Sequence, residues 1–174
     1  MSAPVSLPSV HDEKAPPVVI GHPSPRDAGA CWELVKATGV LDVNSRYAYA
    51  LWFRDFSTTS VIARIDGRLA GFVSGYVRPD EPSTLVVWQV AVDESARGRG
   101  VAGAMLDTLF EVVPNVDHME TTITPDNDSS IALFSGFAAR RSADVQRSEL
   151  FGSEVLGVEH LPEVLFRIGP ITRG

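Results

Sequence analysis

Residues 85–112 constrain the architecture of this chain more than any other stretch. Residues 85–92, Leu-Val-Val-Trp-Gln-Val-Ala-Val, are apolar at every position except Gln89. A strand buried on both faces has that pattern. It runs through Asp93-Glu94-Ser95-Ala96 into Arg97-Gly98-Arg99-Gly100-Val101-Ala102-Gly103, after which Val101, Met105, Leu109 and Val112 recur at helical spacing. A strand that passes into a helix through glycines leaves the first helical N–H groups unpartnered, at the positive end of the helix dipole. Glycine also lets that backbone approach an anion closely. The stretch therefore predicts a main-chain cradle for a diphosphate, built on Gly98, Gly100, Val101, Ala102 and Gly103, with Arg97 and Arg99 as auxiliary charges. The Gly-x-Gly-x-x-Gly spacing also fits a dinucleotide fingerprint. Here, however, it sits mid-chain, after strands joined as a hairpin rather than in a βαβ unit.

The other elements follow from punctuation and period. Residues 18–20 form a short apolar strand. Ser24 and Pro25 open a helix that Gly39 closes. Residues 41–45 are a polar loop with two apolar pegs, and Ser45 caps a second helix running to Phe56 that carries Tyr47, Leu51 and Trp52. Residues 59–65 and 69–77 are strands joined by Asp66-Gly67, a strong hairpin signal. Residues 79–83 are expected to be a loop. A strand at 119–124 leads to a helix capped within residues 126–129, and strands at 145–150 and 164–168 close the chain. This order predicts an α/β fold: one domain over residues 18–174, with a mixed, mostly antiparallel central sheet and helices on both faces. Residues 1–17, rich in Pro and Ser without an apolar period, are expected to be a disordered tail.

Composition narrows the function. A net charge of −7 argues against nucleic acid as partner. No apolar run is long enough to cross a membrane. Cys31 is the only cysteine, so neither an internal disulfide nor a Cys-based metal site is expected, and a reducing cytoplasm suits the chain.

Residues 92–103 resemble the acyl-CoA-binding motif of the GNAT superfamily of N-acetyltransferases. Thr124-Pro125-Asp126-Asn127, Ala132-Leu133-Phe134 and Gly136-Phe137 resemble the second conserved helix of that superfamily. Five blocks, beginning Trp32-Glu33, Leu41-Asp42, Val87-Trp88, Glu120-Thr121 and Leu165-Phe166, together resemble the diaminobutyrate acetyltransferases of ectoine synthesis. The resemblance covers about residues 18–170. It implies a single GNAT-like domain using acetyl-CoA without a metal, acetylating the 4-amino group of L-2,4-diaminobutyrate, and forming a homodimer.

The resemblance also implies roles. Main-chain N–H groups of Val90, Ala91 and Val92 would receive the thioester, Asn127 would bind the pantetheine or phosphate region, and Phe134 would border the carrier. Many relatives place a general-acid Tyr where Phe134 stands. Phe134 has no proton to give, so Tyr47 or Tyr49 would substitute, or no acid is needed. Acyl transfer requires a neutral nitrogen, and at pH 7 only about one alkylamine in a few thousand is neutral. A diamine with a carboxylate needs carboxylates for its ammonium groups and donors for its own carboxylate. Asp42 is the first candidate, against the plainer reading of an exposed loop residue. Asn44 and Ser45 are candidates as well as helix caps. Trp88 is either a core residue or a pocket wall for an ammonium, with Gln89 beside it. Thr121 and Thr122 lie on opposite faces of their strand, so one is expected to reach the cleft. His160 and Glu163 would close the site or form a surface pair. Competing readings are a GNAT enzyme acting on another amine and a non-catalytic acyl-CoA sensor.

Overall fold

Asp66 and Gly67 both take positive φ, 51° and 76°. A two-residue hairpin turn of this hand needs that pair of conformations, and it joins β2 (Val61–Ile65) to β3 (Arg68–Arg78). The computed structural model describes residues 16–173, so most of the tail expected at 1–17 lies outside the described residues. The remaining strands are β1 (Val18–Gly21), β4 (Glu81–Val92), β5 (His118–Ile123), β6 (Val145–Phe151) and β7 (Glu163–Ile168). They form one seven-stranded sheet in the order β1-β2-β3-β4-β5-β7-β6, with only β4 and β5 parallel.

Alternation along the strands, reset in β4 by a bulge at Trp88, divides the core into two layers. Val61, Ala63, Val73, Leu85 and Val87 face α3 (Val101–Val112) and α4 (Asp128–Arg140). Ile62, Phe72 and Ala91 face α1 (Ala28–Thr38) and α2 (Arg46–Asp55), where Cys31, Val35, Tyr49 and Phe53 are buried. Gly39 ends α1 at φ 67°, and the Ser45 hydroxyl caps α2 by accepting from Ala48 N–H. The mixed sheet with helices on both faces is the predicted architecture.

Three local expectations are corrected. Strand β4 starts at Glu81, not at residue 85, because Glu81 is paired with Arg78 and Arg167 across the sheet. The expected loop shrinks to a turn at Pro79 and Asp80. A turn of 3-10 helix, Pro25–Asp27, precedes α1, with Ser24 N–H donating to the Asp27 carboxylate. A short helix, α5 (Ser153–Leu156), joins β6 to β7.

The feature that positions a site is a split in the sheet. β4 pairs with β5 only over Thr84, Leu85 and Val86. Beyond Val86, β4 continues on β3 alone while β5 continues on β7. A gap opens between residues 87–92 and 121–123.

Candidate active site

Backbone alternation decides which amides of β4 face the gap. Asp93 N–H donates to the Ala70 carbonyl on β3 at 2.8 Å. The Ala91 carbonyl also points to β3, where a Cβ built on Gly71 would meet it at 2.8 Å. Neighbouring residues of a strand present their backbone polar groups to opposite sides. Val90 and Val92 therefore turn their N–H groups to the open edge. The expected run of three amides is corrected to two, since Ala91 is committed to β3.

Three hollows meet along this edge. The first, about 290 Å³, is bordered by Asp42, Asn44, Trp88, Gln89, Val90, Thr121, Thr122, Asn127, Phe134, His160 and Glu163, among others. The second, about 330 Å³, shares Val90 and Asn127 with it and adds Val92, Arg97, Ala102 and Leu133. The third, about 360 Å³, shares Val92, Arg97, Ala102 and Leu133 with the second and reaches Gly98, Gly100, Val101, Gly103 and Arg140. The result is one channel from an acceptor cleft to the start of α3.

The far end has the features of an anion cradle. Gly100 precedes α3 with φ 73°, and no side chain among the described residues caps the helix. Its first N–H groups are left to the channel. Arg97 and Arg140 border this end. Arg140, absent from the sequence expectations, comes from the last turn of α4 and also donates to Asp107 at 3.1 Å. It packs against Gly103 and Gly136, where an added Cβ would stand 3.4 and 3.5 Å from its guanidinium. Arg99 is a correction: it donates to the Pro16 carbonyl at 2.8 Å and borders a separate hollow with Arg68 and Asp93. Left-handed glycines on both sides of it, Gly98 and Gly100, turn it away from Arg97.

Asn127 stands where the hollows join. Its Oδ1 accepts from Ser130 N–H at 3.1 Å and from the Ser129 hydroxyl at 3.0 Å, capping α4. That leaves its Nδ2 for the channel. Ser130, unremarked in the sequence reading, also borders both hollows.

At the acceptor end the structure brings Asp42, Asn44, Trp88, Gln89, Thr121, Thr122, His160 and Glu163 to one cleft. Among the described residues that border it, Asp42 and Glu163 are carboxylates and none is Lys or Arg. Trp88 is 42% exposed and packs against Trp52 at a tilt of 40°, with ring centroids 4.5 Å apart. Both threonines border the cleft, not one, because the gap runs along the free edge of β5 rather than over a face. Phe134 is 2% exposed and also borders the cleft.

Two expected residues stand elsewhere. Tyr47 is 71% exposed on the outer side of α2. Two residues along a helix is more than half a turn, so Tyr49 rather than Tyr47 faces the sheet. Ser45 caps α2 and does not border the cleft. Tyr49 is buried and donates to Gln89 Oε1 at 2.8 Å. Burial, the largest influence, pushes its phenol pKa up. Cys31 of α1 is buried between the α1–α2 layer and the sheet, and desolvation raises its thiol to about 12, so it is no nucleophile.

A model of the acetyltransferase (GNAT) family matches residues 28–137. An L-2,4-diaminobutyric acid acetyltransferase of Nocardia farcinica is 45% identical over 172 residues, covering 98% of this chain and 89% of that protein. One from Streptomyces anulatus is 49% identical over 156 residues, covering 87% of this chain and 89% of that protein. A diaminobutyrate acetyltransferase of Paenibacillus lautus has been solved in complex with its substrate L-2,4-diaminobutyric acid and coenzyme A. It superposes with a TM-score of 0.85 at 39% identity, covering 91% of this chain and 98% of that one.

Proposed function

Because the chain belongs to the acetyltransferase (GNAT) family and, within it, to the L-2,4-diaminobutyric acid acetyltransferases, we propose that it transfers the acetyl group of acetyl-CoA to the 4-amino group of L-2,4-diaminobutyrate. The product is N4-acetyl-diaminobutyrate, and the reaction is a step of ectoine biosynthesis. One observation carries the substrate. The acceptor cleft places Asp42 and Glu163 among hydroxyl, amide and imidazole groups, with no Lys or Arg bordering it among the described residues. Two carboxylates suit two ammonium groups, and the threonines, Asn44 and His160 suit the single carboxylate. The opposite end of the channel carries Arg97 and Arg140, which suit a diphosphate.

Acetyl-CoA, when bound, supplies the electrophilic thioester carbonyl. The amides at the start of α3, with Arg97 and Arg140, hold its diphosphate, and Asn127 Nδ2 reaches its pantetheine arm. Val90 N–H, on the open edge of β4, stands where negative charge develops on the carbonyl oxygen. Asp42 and Glu163 fix the diamine so that its 4-nitrogen meets the carbonyl beside Val90, with Trp88 as a wall. That nitrogen gives one proton to the cleft carboxylates or solvent before it attacks, and the proton it sheds after attack ends on the departing thiolate. Phe134 donates no proton. A thiol pKa near 8.5 lets the sulfur leave as thiolate. Tyr49 is not the acid, since its hydroxyl is committed to Gln89.

The enzyme works in the cytoplasm as a homodimer and supports osmoprotection. The homodimer and the osmoprotective role rest on the family resemblance. For the cytoplasm we take the lone buried cysteine and the choice of acetyl-CoA. Light scattering at twice the 18.8 kDa chain mass tests the dimer.

A panel of amines with acetyl-CoA, read by mass spectrometry of the products, tests the reaction. The expected product is diaminobutyrate acetylated at N4. Acetylation of a different amine in preference, or of the 2-amino group, would overturn the assignment.

A further inference from the structure

The Gln89 side chain makes two hydrogen bonds that join three separate elements. Its Oε1 accepts from the Tyr49 hydroxyl of α2 at 2.8 Å, and its Nε2 donates to the main-chain carbonyl of Asp42 at 3.0 Å. Its own N–H donates to the Ser74 hydroxyl of β3 at 3.2 Å. Gln89 is 5% exposed. We propose that Gln89, held by Tyr49, is a positioning residue that anchors the loop of residues 40–44 to β4 and so sets where the Asp42 carboxylate stands in the acceptor cleft. The proposal rests on the reading of that cleft as the diamine site.

The chemistry admits one arrangement. A backbone carbonyl only accepts, so it must meet the NH2 of the amide. That turns Oε1 to Tyr49, which must then donate. A buried phenol whose pKa burial has raised keeps its proton and can do so. The Tyr49 ring is itself fixed edge-on to Phe72 at 6.1 Å between centroids and packed on Phe53 at 6.3 Å. The clamp thus reaches from the core of the α1–α2 layer to the loop that carries Asp42. Ser45 and Gly39 fix the loop's two ends. The Gln89 bond holds its middle to the sheet.

A carboxylate in place of the amide cannot donate to the Asp42 carbonyl, whereas a carboxylic acid can. Gln89→Glu is therefore a clamp that opens with ionisation and closes with protonation. The diamine KM of Gln89→Glu is expected to rise about tenfold at about pH 8, with the acetyl-CoA KM unchanged within about twofold. The ratio of variant to wild-type diamine KM should then fall toward one as pH is lowered to about 6, where a buried carboxyl begins to regain its proton. Tyr49, Cys31, Asp42, His160 and Glu163, the titratable groups around the clamp and the cleft, are common to both proteins, so the ratio isolates residue 89. Tyr49→Phe, which keeps the ring and loses the donor, should raise the diamine KM about threefold and leave acetyl-CoA alone.

A diamine KM within about twofold of wild type in both variants overturns the proposal, as does a rise in the two KM values together. A KM ratio that ignores pH also overturns it. If Gln89→Glu does not fold, Tyr49→Phe decides alone. The measurement uses whichever small amine the wild type acetylates best. Wild type inactive on diaminobutyrate therefore sinks the substrate assignment and not the clamp. Wild type active with unmoved variants sinks the clamp and not the assignment.

Discussion

Arg140 of α4 stands over Gly103 of α3: a Cβ built on Gly103 would lie 3.4 Å from Arg140 Nη2. The guanidinium borders the hollow that Gly98 and Gly100 also line. Two helices distant in sequence thus place one charge beside the helix start where a diphosphate would be held.

Removing that charge should weaken the carrier and spare the acceptor. Arg140→Ala is expected to raise the acetyl-CoA KM about five- to tenfold, with the diamine KM unchanged. The penalty should shrink in high salt, because the site is open to solvent. Steady-state kinetics at two ionic strengths check both points.

Gly100 takes φ 73°, a conformation a β-branched residue adopts only under strain. Gly100→Val should lower unfolding free energy by about 1–2 kcal/mol. It should also raise the CoA dissociation constant at least about tenfold, by keeping the backbone from the anion. Chemical denaturation and calorimetry measure the two effects separately.

The acceptor cleft makes the reciprocal prediction. Asp42→Asn and Glu163→Gln should each raise the diamine KM by about tenfold or more, while CoA affinity stays as in wild type. A loss of CoA binding in either variant would place these carboxylates outside the amine site.

Beside the cleft, Glu120 is 5% exposed and pairs with both Arg78 and Arg167, which also hold Glu81. Glu120→Gln leaves two guanidinium groups short of a counter-charge. The expected loss is about 2 kcal/mol, below that of a fully buried pair because both arginines reach solvent. Glu81 adds an acid limb. The hydrogen bond from Arg167, then its charge, hold the Glu81 pKa below the ordinary 4.5. Its contribution is present above that ordinary value and is lost as pH falls through the depressed one. Glu81→Gln should flatten that acid limb in urea titrations.

Burial raises the Cys31 thiol to about 12. A thiol-specific reagent at about pH 8 should leave the native protein unlabelled and react only after denaturation. Above pH 9 the unfolded chain ionises this group first, so its contribution to stability falls with rising pH.

Much of this was legible in the chain. The hairpin followed from Asp66-Gly67, the glycine-lined helix start from the glycines at 98, 100 and 103, and the start of α4 from the polar run 126–129, because each of these is a local signal. What escaped was non-local. Arg140 reaches the cradle only because α4 packs on α3. Arg99 leaves it because two left-handed glycines turn the chain around it. Helix phase separates Tyr47 from Tyr49, and the sequence alone does not say which side of α2 meets the sheet. The shared access of Thr121 and Thr122 depends on where β4 and β5 part, which pairing length decides and composition does not.

A structure of the protein with CoA and L-2,4-diaminobutyrate tests the central claim most directly. The diphosphate is expected on the amides at the start of α3 with Arg97 and Arg140, the thiol end beside Val90, and the diamine between Asp42 and Glu163. Phosphates bound anywhere else, or a diamine remote from those two carboxylates, would contradict it.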